Sequence, residues 1–379
     1  MQTLPDGVHS PIPREQMTPV ARKLRDIYAL TPGAPLYHCE ELGYFSLDAW
    51  KAQGMPQDVP RHELFHLDTG GYHLLLTRAF HPHFEEIVLE DRGDYELVQD
   101  TVGRHVLFFK GRRNGFMPEY LDHPVKDRRT WEEDVKWRLD PTTPGRFADL
   151  LELVDKARAA VAQGAMLRVR TGGYAYIRNL IGTLKILYAF YDMPDVIHDI
   201  MQTWVRVVDY CLARYQEHLT IDELFFGEDI CYNAGPFLSE RMFREFFLPY
   251  YQQVVSNVRA RQIDKGRKLY VHVDSDGNVA QVIPLYREMG MNVMSPFEVA
   301  SGNDVIEIGR QYPDMVLWGG IDKRVLAQSP AAIDEMLRRI LPAMRARGGY
   351  IPCCDHGVPE EVPYTNYLHY RRRCVEWGE

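Results

Sequence analysis

The chain predicts an α/β barrel of the (β/α)8, TIM type with an N-terminal extension, and three observations carry that expectation. After Phe147, short β-branched runs alternate with helical apolar patterns at least six times, which implies a parallel sheet with helices outside it. The strands so marked end in ionisable or glycine-rich residues, as barrel strands do where they carry chemistry at their carboxyl rim. The length of 379 residues, 45% hydrophobic and 26% charged, suits one barrel core with extensions and excludes disordered and collagen-like classes. An open doubly wound sheet is the competing arrangement, but no G-x-G-x-x-G follows any strand. The expected division is an extension with hairpin and connector over residues 1–145, packing on a barrel core over 146–379 that carries the active-site mouth.

In chain order, residues 1 to about 15 read as an unstructured lead and Met17 to Leu30 as a short helix. Residues 37–68 show Gly and Pro punctuation without a period and take no assignment. Tyr95–Val98 and His105–Lys110 read as a two-stranded hairpin, and a helix is expected from a Thr130 cap to Leu139. Then come a helix over Leu150–Gln163, a strand M-L-R-V-R ending in Thr171-Gly172-Gly173, a long helical tract over Ile186–Leu219, and a strand at Leu224 ending in Gly227-Glu228-Asp229. Ser239 is a plausible cap for a helix to Val258, kinked at Pro249. The strand K-L-Y-V-H-V-D-S-D-G-N follows, with His272, Asp274 and Asp276 on one face because strand side chains repeat every two residues. Further strands are expected at 292–298, 315–318 and 350–352, separated by a helix over Asp304–Tyr312 and one opened by Ser329-Pro330 and closed by Gly348-Gly349.

A barrel brings these strand ends to one rim, so Arg170, Glu228, Asp229, His272, Asp274, Asp276, Glu298, Asp322, Cys353, Cys354 and His356 become neighbours. The His272-x-Asp274 pair, Glu298 one strand later and a cysteine of the last strand offer the N, O and S donors that zinc accepts. His356, flanked by Asp355 and Gly357 on a turn, is a candidate acid/base. The blander alternative is that the carboxylates cap helices and the cysteines are buried apolar groups.

Composition narrows the partners. A net charge of −9 and a pI near 5.9 argue against nucleic acid or an anionic membrane surface, both of which need a basic face. No run of residues approaches the roughly 18 apolar positions of a membrane span. The six cysteines, Cys39, Cys211, Cys231, Cys353, Cys354 and Cys374, have no framework spacing and the N-terminus has no leader pattern, so a cytoplasmic protein with reduced thiols is expected.

From about Phe225 to Tyr370 the chain resembles the uroporphyrinogen decarboxylase superfamily. The likeness is carried by F-F-G-E-D-I-C-Y-N-A-G-P-F-L-S-E-R-M-F-R-E-F-F-L-P-Y-Y, H-V-D-S-D-G-N, P-F-E-V, G-G-I-D-K-R-V-L-A and P-C-C-D-H-G-V-P-E-E-V-P-Y-T-N-Y, with P-V-K-D at 124–127 extending it forward. The resemblance implies a (β/α)8 barrel with its site at the C-terminal mouth. It also implies one of two activities, cofactor-free decarboxylation of a tetrapyrrole or zinc-dependent methyl transfer between a corrinoid and another acceptor. The decarboxylases' R-Q-A-G-R and F-S-D-I-L segments are missing, and Arg22 and Arg25 stand in another context, so uroporphyrinogen is not the expected substrate. Against the methyltransferases' His-x-Cys, glutamate and P-G-C pattern, His272, Glu298 and Cys354 match, while Asp274 replaces a cysteine and hardens the set. His356 matches the decarboxylases' C-terminal histidine.

The expectation is therefore a methyl-transfer or O-demethylation enzyme. Zinc would sit on His272, Asp274, Glu298 and Cys354, with His356, Asp276 and Asp229 catalytic and Arg170, Glu228 and Asp322 contacting a small-molecule substrate. A corrinoid (cobalamin) on a partner protein and a homodimer belong to the same expectation. The alternatives are a decarboxylase of another carboxylated substrate, with His356 donating the proton and Asp276 or Asp229 stabilising a cation, and a non-catalytic binding module.

Overall fold

In the computed structural model, which describes residues 11–111 and 118–378, chain order and sheet order nearly coincide. Strand β1 (Tyr72–Leu76) is followed by a separate antiparallel unit of β2 (Ile87–Arg92), β3 (Tyr95–Gln99), β4 (His105–Phe109) and β5 (Glu119–Asp122). Next come β6 (Met166–Thr171), β7 (Glu223–Gly227), the two-residue strands β8 (Cys231–Tyr232) and β9 (Gly235–Pro236), then β10 (Tyr270–Asp274), β11 (Val293–Ser295), β12 (Val316–Trp318) and β13 (Tyr350–Ile351). The central sheet runs β1-β6-β7-β10-β11-β12-β13, every pair parallel, with helices between successive strands. This is the TIM-type α/β fold, with seven ladder strands rather than eight.

Between the two edges of that sheet lies extended chain. Leu42 bridges to Val358, the Cys354 amide donates to Glu40, and the Tyr37 hydroxyl donates to the Gly70 carbonyl just ahead of β1. Part of the barrel wall thus comes from residues 37–43. The sheet itself begins at β1, inside the 1–145 segment expected to pack outside the core. Tyr72, Leu74 and Leu76 of β1 remain partly exposed toward the open edge, which weakens their alternation as a sequence signal.

Side-chain alternation sets the layers. Outward residues of the sheet, among them Leu167, Val169, Leu224, Phe226, Val271, Val273, Met294 and Leu317, join the main core beneath the helices. Inward, the lowest layer of Met166, Tyr270, Val293, Val316 and Ile351 packs against Leu24, Ile27 and Tyr28 of the helix Pro19–Tyr28, which plugs the bottom of the barrel. Thr18 caps that helix and Pro19 opens it.

The hairpin expected at 95–110 is present as β3 and β4, in register from Tyr95↔Phe109 to Gln99↔His105. Other boundaries differ for local reasons. The tract 186–219 is two helices, Lys185–Asp192 and Pro194–Gln216, because Pro194 has no amide hydrogen to continue the first and instead starts the second. Around 130, Asp127 is the cap and Thr130 closes the capping box from within, so the turn starts three residues early. Ser239 caps its helix, and the break ahead of Pro249 falls at Phe247. Residues 1–10 of the expected lead lie outside the described residues, and 14–16 form a single helical turn.

Candidate active site

At the carboxyl ends of the strands a cavity of about 630 Å³ opens, bordered by Glu40, Tyr44, Tyr72, Arg168, Arg170, Phe225, Asp229, His272, Asp274, Asp276, Ser295, Trp318, Cys353, Cys354 and His356. Its floor is a buried hydrogen-bonded chain. Glu223 Oε1 lies 2.8 Å from His272 Nδ1, His272 Nε2 lies 2.8 Å from Ser295 Oγ, and the Ser295 hydroxyl in turn donates to Asp274. Arg168 Nε is 2.8 Å from Glu223 Oε1, and the Tyr28 hydroxyl of the plug helix donates to the same carboxylate. The Arg168 guanidinium also stacks against Tyr72, Trp318 and Phe225, at 4.6, 4.8 and 5.5 Å from the ring centroids. Burial pushes the Glu223 carboxyl up, but Arg168 and then His272 more than offset this and hold it at about 2. The floor therefore keeps an ionised Glu223 clamped by cations and donors.

Higher in the cavity, His356 Nε2 stands 3.6 Å from Asp276 Oδ2. Both border the cavity, His356 half-exposed and Asp276 somewhat more enclosed. Burial, together with the nearby carboxylates of Asp229, Glu298 and Asp274, pushes Asp276 up to about 7 although His356 opposes the shift. Asp229 takes a left-handed backbone conformation, φ 48°, at the end of β7, and its carboxylate pairs with Arg178 Nη2 at 2.9 Å. Arg170 lies over the Phe225 ring at 5.1 Å and makes no ion pair with any described residue. It is a cation at a cavity wall with its charge available.

Three expected site residues face elsewhere. Glu228 is wholly buried and accepts from the amides of Gly173 and Tyr174, each at 2.8 Å, and from the Tyr251 hydroxyl at 2.7 Å, so it caps the helix Tyr174–Ile181 rather than touching substrate. Gly173 permits this because a Cβ there would stand 2.2 Å from the Tyr251 ring. Asp322 caps the helix Lys323–Leu326 through the Arg324 amide and pairs with the Arg324 side chain at 2.8 Å. Asp322→Ala is expected to cost about 1 kcal/mol of stability in urea titration and to leave turnover unchanged. Glu298 accepts from the Gly277 amide at 2.9 Å and lies 3.6 Å from Lys323 Nζ, which turns it to the loop behind the cavity.

The expected zinc set therefore does not assemble. His272, Asp274 and Cys354 border one cavity, yet among the described residues no three His, Cys, Asp or Glu side chains form a group that could hold a metal ion. Both ring nitrogens of His272 already have partners, Asp274 is bound by Ser295, and Glu298 faces away. Burial and the neighbouring Glu40 push the Cys354 thiol well above its ordinary range. The donors present do not fit the ion.

Sequence reasoning passed over Glu223, Ser295, Arg168 and Trp318. Two of them had a faint signal. Arg168 and Glu223 stand in the inward register of their strands, two residues before Arg170 and Phe225, where a charge is costly unless another inward residue answers it.

Comparison with known proteins agrees with this architecture. A methyltransferase from Methanosarcina mazei superposes with a TM-score of 0.59 at 15% identity, covering 94% of this chain and 98% of that one, and so shares the fold. A uroporphyrinogen decarboxylase from Methylobacillus flagellatus is 26% identical over 196 residues, 48% of this chain and 49% of that protein; the chain thus spans about half the length of this relative. The family model described as uroporphyrinogen decarboxylase (URO-D) matches residues 117–376, from β5 through the C-terminal helix. On a match that spans most of its length, the chain belongs to the URO-D family.

Proposed function

We propose that this URO-D family member is a metal-independent acid–base enzyme that decarboxylates a small, electron-rich carboxylic acid at the barrel mouth. The observation that carries the reading is the Asp276–His356 pair in a cavity whose wall presents the uncommitted Arg170. Arg170 binds a carboxylate of the substrate. Asp276, held protonated near neutral pH by its enclosed, acidic surroundings, delivers its proton to the ring carbon that bears the departing carboxylate. The resulting cation is stabilised by the carboxyl groups of Asp229 and Asp274 until the carbon–carboxylate bond breaks, its electron pair returns to the ring and CO2 leaves. His356, open to solvent, returns a proton to Asp276. This moves the proton-donor role from His356, expected for a decarboxylase from the sequence, to Asp276.

Arg170→Ala is expected to raise KM ten- to a hundredfold with a smaller change in kcat, because a single charged contact to the substrate is lost. Steady-state kinetics measures the split. Uroporphyrinogen, an octacarboxylate, is not expected to be turned over, since Arg170 is met by Asp229, Asp274 and Asp276 around one cavity. Formation of coproporphyrinogen at a rate typical of a working decarboxylase would overturn that expectation.

Methyl transfer is the second reading, favoured by His272 and Cys354, which match the methyltransferase pattern, and by Asp274, which stands where that pattern has a cysteine, all around the same cavity. There Asp276 would protonate the oxygen leaving a methyl group, and the methyl would pass to a reduced corrinoid on a partner protein. A panel of small aromatic and heteroaromatic acids and methyl ethers decides between them. CO2 release without any acceptor supports decarboxylation, and methylcobalamin formed only when cob(I)alamin is supplied replaces it with methyl transfer.

A further inference from the structure

Two segments far apart in sequence run side by side along the cavity mouth. Glu40 Oε1 accepts from the Cys354 amide at 2.9 Å, the Val358 amide donates to the Glu41 carbonyl at 2.9 Å, and the Gly43 amide donates to the Val358 carbonyl at 2.7 Å. Immediately before these contacts come Cys39 and Cys353. Their side chains stand close enough to act on one another electrostatically, both border the cavity, and both are free. Cys39 is partly exposed and Cys353 is buried behind it.

We propose that Cys39 and Cys353 are an oxidation site at which a low-molecular-weight disulfide, of the glutathione type, forms a reversible cross-link across the cavity mouth. The Cys39 thiolate attacks one sulfur of the oxidant and expels a thiolate, leaving a mixed disulfide on Cys39. Cys353 loses its proton and attacks the Cys39 sulfur, expelling the second thiolate. Two protein thiols are thereby oxidised and one small disulfide is reduced to two thiols. The product ties residues 37–43, which fill the gap between the sheet edges, to the loop that carries His356. It closes a very long covalent loop, and long loops restrict the unfolded chain most.

The test treats the full-length protein with oxidised glutathione, alkylates the remaining thiols and maps peptides by mass spectrometry alongside thermal melting. The expected result is a Cys39–Cys353 linked peptide pair and a melting transition several degrees higher, both reversed by dithiothreitol. Cys39→Ser is expected to show neither change, and Cys353→Ser to retain glutathione on Cys39. Should Cys353→Ser fail to fold, the wild-type peptide map and Cys39→Ser still decide. The proposal is overturned by wild-type protein that keeps glutathione on Cys39 with Cys353 alkylated, by two unoxidised thiols, or by an equal rise in melting temperature for Cys39→Ser.

Discussion

Asp276→Asn is expected to lower kcat by 10²- to 10⁴-fold while the protein melts within a few degrees of the wild type. The amide keeps the size of the side chain but has no acidic proton to give, and general-acid catalysis accounts for a factor of that order. Asp276 is not part of the buried floor, so its replacement leaves the Glu223–His272–Ser295–Asp274 chain in place. In the wild type the acid must be protonated, so kcat should fall as pH rises through about 7, the value to which burial and its carboxylate neighbours bring Asp276. In Asp276→Asn that limb should vanish. His356→Ala is expected to lose less, on the order of tenfold, and to recover with added imidazole, since it reloads the acid rather than contacting the reacting carbon. A wild-type rate that is flat from pH 5 to 9 would remove Asp276 from the proton-donor role.

Arg168→Met is expected to destabilise the protein by about 3–5 kcal/mol, the usual result of leaving one partner of a buried pair uncompensated. Urea unfolding measures it. Glu223 stays clamped in the floor by Tyr28 and His272, yet without Arg168 its carboxylate loses the strongest influence that keeps it ionised. The pH dependence has a definite sign. A carboxyl held at about 2 when folded and near 4.5 when unfolded adds stability above pH 4.5, and this is lost as pH falls from there through 2. The wild type should surrender on the order of 3 kcal/mol across that window. Arg168→Met should show a smaller acid loss, because its Glu223 is already less favourably ionised at neutral pH. A variant that unfolds at the wild-type urea midpoint would mean that Tyr28 and His272 alone satisfy the charge.

The β-then-α cadence after Phe147 was legible because each unit has its own local period, and the hairpin at 95–109 because alternation and a turn suffice to mark it. β1 was not, since an edge strand with partly exposed inward residues lacks clean alternation. Arg170, Asp229, Asp276 and His356, picked out by their place at strand ends, all border the cavity. Glu228, Asp322 and Glu298 occupy the same kind of position but are consumed by backbone amides of neighbouring helices and loops, and type and spacing alone cannot separate the two uses. The donor set expected for zinc does not come together among the described residues for a related reason. His272 lies in the right place for a ligand, but Glu223 and Ser295, which engage its two nitrogens, come from other strands and become its neighbours only in three dimensions.

The plugged floor also has a consequence for synthesis. Leu24, Ile27 and Tyr28 leave the ribosome well before Tyr270, Val293, Val316 and Ile351, against which they seat, and the Tyr270 hydroxyl reaches the Tyr28 carbonyl across 242 positions of sequence. At 5–20 residues per second, that apolar helix face waits roughly 15–65 s for its seat to be translated. Throughout that interval it is a ready docking point for holdase chaperones, and slowing elongation over the last strands should lengthen the exposure and increase aggregation of nascent chains.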